Sequence, residues 1–146
     1  HVGIATAYIA RIAGFRVTMV DDRPEFAEAA ETAADEVIIS DFEAAVENLQ
    51  VDSGTYIVIV TRGHSHDKET LAACLKKGGP HPAYIGMIGS KTKVRKIFDA
   101  LKSEGISEED IEGVHSPIGL SIGAKTAQEI AVAIVAEMVA VKNNSL

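Results

Sequence analysis

The run Tyr56-Ile57-Val58-Ile59-Val60 limits most sharply what this chain can become. Every position is apolar, four are β-branched, and no polar residue alternates with them. A strand that is apolar on both faces must be covered on both, which is the pattern of a central parallel strand. Ala83-Tyr84-Ile85-Gly86-Met87-Ile88 is a second such run. Between them, His66 to Lys77 carries a helical pattern that Gly78-Gly79-Pro80 breaks. A strand, a helix and a second buried strand form a right-handed crossover unit.

The same alternation extends to both sides. Ile4 to Ala13 is apolar with near-helical spacing, and Gly14 ends it. Arg16 to Val20 reads as a strand that runs into Asp21-Asp22-Arg23. Pro24 suits the first turn of a helix from Glu25 to Ala33. Val37 to Ile39 is a short strand, and Asp41 can cap a helix that reaches Leu49. Ser90 to about Ser103 is a basic helix, in which Lys93 and Lys96 read as a solvated face. Ser107-Glu108-Glu109-Asp110 opens a short capped helix, and Val114-His115 ends a last short strand. Thr126-Ala127-Gln128-Glu129 is a capping box for an apolar helix to about Val141. Strands alternating with helices over 146 residues predict one α/β domain spanning 1–146. Its sheet is expected to be doubly wound and mostly parallel, with helices on both faces, in the Rossmann-like manner.

Charge and cysteine content narrow the setting. The chain has 14 Lys and Arg against 21 Asp and Glu, a net charge of −7. That balance disfavours non-specific nucleic-acid binding. Cys74 is the single cysteine. It cannot close an intramolecular disulfide and reads as buried filler in a helix. With no apolar run near the ~20 residues that span a bilayer, the expectation is a cytoplasmic protein without membrane contact. An apolar stripe on the last helix would serve equally a homodimer interface or the core.

In an open parallel sheet, ligands bind beyond the carboxyl ends of the strands. The polar segments at those ends are therefore the candidate site. His1-Val2-Gly3 leads a helix, and Asp21 ends the next strand 18 positions after Gly3. A dinucleotide fingerprint places an acid about 20 residues beyond its glycines, on the ribose. Gly3 would then be a third glycine, with Gly-x-Gly expected upstream of His1. Asp21 would accept from ribose hydroxyls and Arg23 would meet a phosphate. The plain alternative for Gly3 is an ordinary packing glycine.

Thr61-Arg62-Gly63-His64-Ser65-His66-Asp67 follows the clearest strand. His64, His66 and Asp67 are ligand types for zinc or another transition metal. Alternate histidines entering a helix need not converge, however, and no cysteine helps them. Arg62, Gly63, His64 and His66 as hydrogen-bonding groups for a bound cofactor fit better, and Asp67 suits a helix N-terminus. Gly86-Met87-Ile88-Gly89-Ser90-Lys91 places glycines before a helix, where backbone N–H groups suit an anion. Lys91 in the first turn opposes the helix dipole unless an anion offsets it. His115-Ser116-Pro117-Ile118-Gly119 supplies further polar groups. The segment Gly119 to Thr126 is not a phosphate-binding P-loop, because Ala124 precedes Lys125 and Gly123 is one place off. No complete catalytic set stands out.

Four segments in this order, Val20-Asp21-Asp22-Arg23-Pro24-Glu25, Thr61 to Asp67, Tyr84 to Lys91 and His115 to Leu120, resemble the Rossmann-like domain of the XdhC/CoxI family of xanthine dehydrogenase accessory proteins. The resemblance spans nearly the whole chain. It implies a nucleotide-type βαβ fold, usually preceded by a separate N-terminal domain that these residues do not include. It implies a protein that binds molybdenum cofactor, protects it, and helps its sulfuration and insertion into a xanthine dehydrogenase-type molybdenum hydroxylase, with a cysteine desulfurase as a second partner. Such a maturation factor need not be an enzyme. Ser121 and Lys125 stand where acidic residues are expected in relatives. The runner-up is an NAD(P)-dependent oxidoreductase domain working through Gly3 and Asp21. A metal hydrolase built on His64, His66 and Asp67 comes third.

Overall fold

The computed structural model describes residues 1–61 and 63–146, with His64 and Ser65 as backbone alone. The chain forms two compact units, His1–Ala45 with Gly119–Leu146, and Val46–Ile118. The elements are α1 (Val2–Ile12), β1 (Thr18–Asp21), a 3-10 turn at Pro24–Phe26, α2 (Ala27–Ala33), β2 (Glu36–Ile39), α3 (Phe42–Asn48), β3 (Tyr56–Ile59), α4 (His64–Lys76), β4 (Tyr84–Met87), α5 (Lys91–Ser103), α6 (Glu108–Glu112) and α7 (Ala127–Lys142). No helix among the described residues is long and apolar enough to cross a membrane.

In the first unit, α1 packs against α7 and α2. Ala7 and Ala10 on α1 and Ala131 and Ala133 on α7 are buried, with Ile134 and Met138 completing that side of α7. Gly14, at φ +99°, ends α1 as expected. Its N–H donates to the Arg11 carbonyl, and that of Phe15 to the Ala10 carbonyl, which is the Schellman pattern. β1 and β2 pair in parallel from Thr18 opposite Glu36 to Asp21 opposite Ile39. The capping box of α7 is present. The N–H groups of Lys125 and Thr126 donate to Glu129 and hold its carboxyl below the usual range.

In the second unit, β3 and β4 pair in parallel from Tyr56 opposite Tyr84 to Ile59 opposite Met87. Residues 115–118 run alongside β4. The His115 N–H donates to the Ile85 carbonyl, Met87 N–H to His115, and Ile118 N–H to Met87. The expected last strand is thus reduced to a single parallel bridge, Gly86 to His115. The core gathers Ile59, Leu71, Met87, Ile97 and Leu101. On α5, Val94, Ile97 and Leu101 follow the 3–4 spacing of one helix face. Truncating Leu101 to Ala there would cost about 2–5 kcal/mol.

The expected α/β architecture with parallel strands is present, but its strands are four residues long and pair in twos. α4 begins two residues earlier than its sequence pattern suggests, because Gly63 at φ +101° forms the N-cap and its carbonyl accepts the Asp67 N–H.

Candidate functional site

Three carboxyl ends emerge side by side in the second unit. The Ile88 N–H donates to the Ile59 carbonyl, so the end of β4 stays beside the end of β3. The Ser116 hydroxyl donates to the Met87 carbonyl at 2.7 Å and ties the 115–118 segment to the other edge of β4. Segments that the sequence could only rank by their residues are therefore neighbours. They are Thr61 with the head of α4, the Gly89–Ser90–Lys91 turn and the His115–Ser116 turn. The Ser116–Pro117 peptide bond is cis.

The turn after β4 fits an anion on geometric grounds. Gly89 has φ +150°, and Ser90 caps the thirteen-residue α5 by accepting the Lys93 N–H. A helix leaves its first N–H groups without intrahelical acceptors. Lys91 is exposed in that first turn, where no acid stands. A Cβ on Gly89 would come within 3.1 Å of the Lys93 Cδ.

Lys93 itself is not the solvated residue its sequence position suggests. Its side chain is only 16% exposed, and its Nζ lies 2.6 Å from Asp67 Oδ2. Asp67 is fully buried. Its other oxygen accepts both the backbone N–H and the hydroxyl of Thr61. Asp67 therefore does more than bias the start of α4. Removing one partner of a buried pair strands the other charge, at a cost of about 3–5 kcal/mol.

Gly86 has a packing reason. A Cβ there would lie 2.6 Å from the Tyr84 hydroxyl and from Ile118. The Tyr84 ring is stacked between Tyr56 and His115, with centroids 6.0 and 4.7 Å away. His66 lies in the first turn of α4, partly buried. Gly63 supplies the positive φ that the entry to α4 needs. Arg62 lies outside the described residues, as do the side chains of His64 and Ser65. Among the described residues no group of three His, Cys, Asp or Glu could hold a metal ion.

In the first unit, Gly3 sits in the opening turn of α1. At the end of β1, Asp21 holds Arg23. Oδ1 accepts from the Arg23 backbone N–H and Nε at 2.9 and 3.0 Å, and Oδ2 accepts from Nη2 at 3.1 Å. The guanidinium also lies 3.6 Å over the Phe26 ring. Both charged groups of the expected ribose-and-phosphate contact are thus bonded to each other.

A cavity of about 60 Å³ lies toward the amino ends of β3 and β4, away from these turns, lined by Leu49, Ile57, Leu75, Pro82 and Ile85 among others. Cys74 faces it and is buried, which pushes its thiol up to about 11.

The family profile of the XdhC Rossmann domain matches residues 1–138. The uncharacterized protein YqeB of Escherichia coli K12 is 33% identical over 150 residues, covering 99% of this chain and 26% of that protein. A probable xanthine dehydrogenase subunit of Bacillus subtilis 168 is 28% identical, covering 93% of this chain and 38% of that protein. This chain therefore spans well under half the length of those relatives. A crystal structure of a xanthine dehydrogenase from Bacillus halodurans superimposes with a TM-score of 0.82 at 26% identity, over 99% of this chain and 40% of that one. On the profile match and the structural likeness together, the chain belongs to the XdhC Rossmann domain family.

Proposed function

We propose that this chain is the cargo-binding domain of a xanthine dehydrogenase accessory protein. It holds molybdenum cofactor, protects it, and supports its sulfuration and insertion into a xanthine dehydrogenase-type molybdenum hydroxylase. A cysteine desulfurase is the sulfur-supplying partner in this reading. The observation that carries it is the family match over residues 1–138. The names of the Bacillus relatives support the choice of client.

The chemistry of the cargo fits the groups in the second unit. Molybdenum cofactor is a pterin with a phosphate tail. An anionic tail suits the N–H groups at the head of α5 and the exposed Lys91. The polar edge of a pterin suits imidazole and hydroxyl groups such as those of His66, His115 and Ser116. A carrier must bind and release, which hydrogen-bonding and cationic groups of this kind suit. The dehydrogenase alternative draws less support, because the guanidinium of Arg23, expected to meet a phosphate, is held by Asp21 instead.

Transfer is the test. Full-length protein loaded anaerobically with molybdenum cofactor is mixed with a cofactor-free xanthine dehydrogenase-type enzyme. The proposal expects activity to return faster and more completely than with free cofactor at the same concentration. Equal recovery from free cofactor would contradict it.

A further inference from the structure

Asp67 is a carboxylate with no solvent exposure, and it joins three pieces of chain. Through Oδ1 it takes the N–H and hydroxyl of Thr61, directly beyond β3. Through its own backbone it stands in the first turn of α4, one residue after His66. Through Oδ2 it takes Lys93 Nζ at 2.6 Å, from the first turn of α5. The Lys93 stem runs behind Gly89, close enough that a Cβ there would press on it.

Holding a core together does not require such a pair. Apolar residues of similar volume are often as stable or more so. A charge-assisted hydrogen bond adds direction and distance, which an apolar contact does not fix. The atoms fixed here belong to segments that carry His66 on one side and Gly89, Ser90 and Lys91 on the other.

We propose that Lys93 and Asp67 are positioning residues for the cargo site. Their ion pair sets the spacing between the first turn of α4 and the Gly89–Ser90–Lys91 turn, and so sets the affinity for the cargo. The affinity part rests on the reading that molybdenum cofactor is held at that turn. The spacing part does not.

The experiment uses full-length protein with Lys93→Arg, Lys93→Met and the double change Asp67→Asn with Lys93→Met, in which the amide oxygen still accepts from Thr61. Three properties are read: urea stability, amide exchange at Lys93 and Val94, whose N–H groups are bonded to Ser90, without ligand, and anaerobic binding of molybdenum cofactor. The double variant should recover most of the stability lost by Lys93→Met, since no charge is left stranded. Its Lys93 and Val94 amides should exchange at least about tenfold faster, and its affinity should fall at least about tenfold, because small misplacements are costly in a built site. Lys93→Arg should restore both properties substantially. A stable double variant with wild-type exchange and wild-type affinity would overturn the proposal, as would faster exchange with unchanged affinity. If the double variant does not fold, Lys93→Arg against Lys93→Met carries the same comparison. Absence of binding by the wild-type protein would overturn the cargo reading instead, and exchange alone would then decide whether the pair sets the spacing.

Discussion

The carboxylate of Glu137 accepts the backbone N–H of Gly119 at 3.1 Å. Glu137 lies in the apolar body of α7 and is 8% exposed, so the bond is partly shielded from water. Gly119 has φ +96°, and a Cβ there would meet the Ala133 Cβ at 3.1 Å and the Ala133 backbone at 3.2 Å. The glycine is needed both for its backbone conformation and for its size. Gly119→Ala should destabilise by about 3 kcal/mol, from left-handed strain plus crowding. Glu137→Leu should cost about 1 kcal/mol or more by removing an acceptor from a partly buried N–H. Glu137→Gln keeps an acceptor oxygen and should cost less than either. Urea unfolding of the three variants checks the order.

Gly86→Ala addresses the aromatic stack. The added methyl would stand 2.6 Å from Tyr84 Oη and from two Ile118 carbons. Tyr84 is 2% exposed and has little room to move. The substitution should cost about 1–3 kcal/mol, measured by urea denaturation. It should also change the ring-current shifts of His115, which stacks on Tyr84 at 4.7 Å. Unaltered His115 shifts would show that the ring has not moved.

Cys74 gives a prediction in pH. Burial raises its thiol from 9.0 to about 11. The folded state therefore favours the protonated thiol more strongly than the unfolded state does. The stability tied to this group is fully present below pH 9 and is lost as pH rises from about 9 to 11. Cys74→Ala removes that dependence. The wild-type protein should lose roughly 2–3 kcal/mol more than the variant across the window. Thiol alkylation should also be slow in the folded protein at pH 8 and fast in urea. Parallel stability curves for the two proteins would contradict the burial effect.

Much of the fold is legible directly in the residues. Tyr56 to Val60 is apolar at every position and does form a parallel strand over Tyr56–Ile59, paired with β4, although Ile59 is buried and Tyr56 to Val58 are half-buried rather than covered on both faces. Ser90, Ser107 and Thr126 declare three helix starts by side-chain chemistry alone, and each accepts the expected backbone N–H. The role of Lys93 is hidden, because its partner is 26 residues away and a lysine at that position fits an exposed face. A lysine in the first turn of a helix opposes the dipole, and that conflict is the available signal. Gly86 reads as a ligand glycine in the sequence, yet Tyr84 two residues earlier shares its strand face. A large ring beside a glycine at that spacing points to packing. At Asp21, the Asp-x-Arg spacing allows the internal pair as readily as a ribose contact, and only coordinates distinguish the two.

The most direct measurement of the central claim is an anaerobic calorimetric titration of the full-length protein with molybdenum cofactor, with NAD and NADP titrated in parallel. The account predicts saturable binding of the cofactor, weakened at least about tenfold by Lys91→Ala through loss of an anion contact, and no heat from either nicotinamide. Saturable NAD binding with no cofactor binding would contradict it and transfer the domain to the dehydrogenase reading.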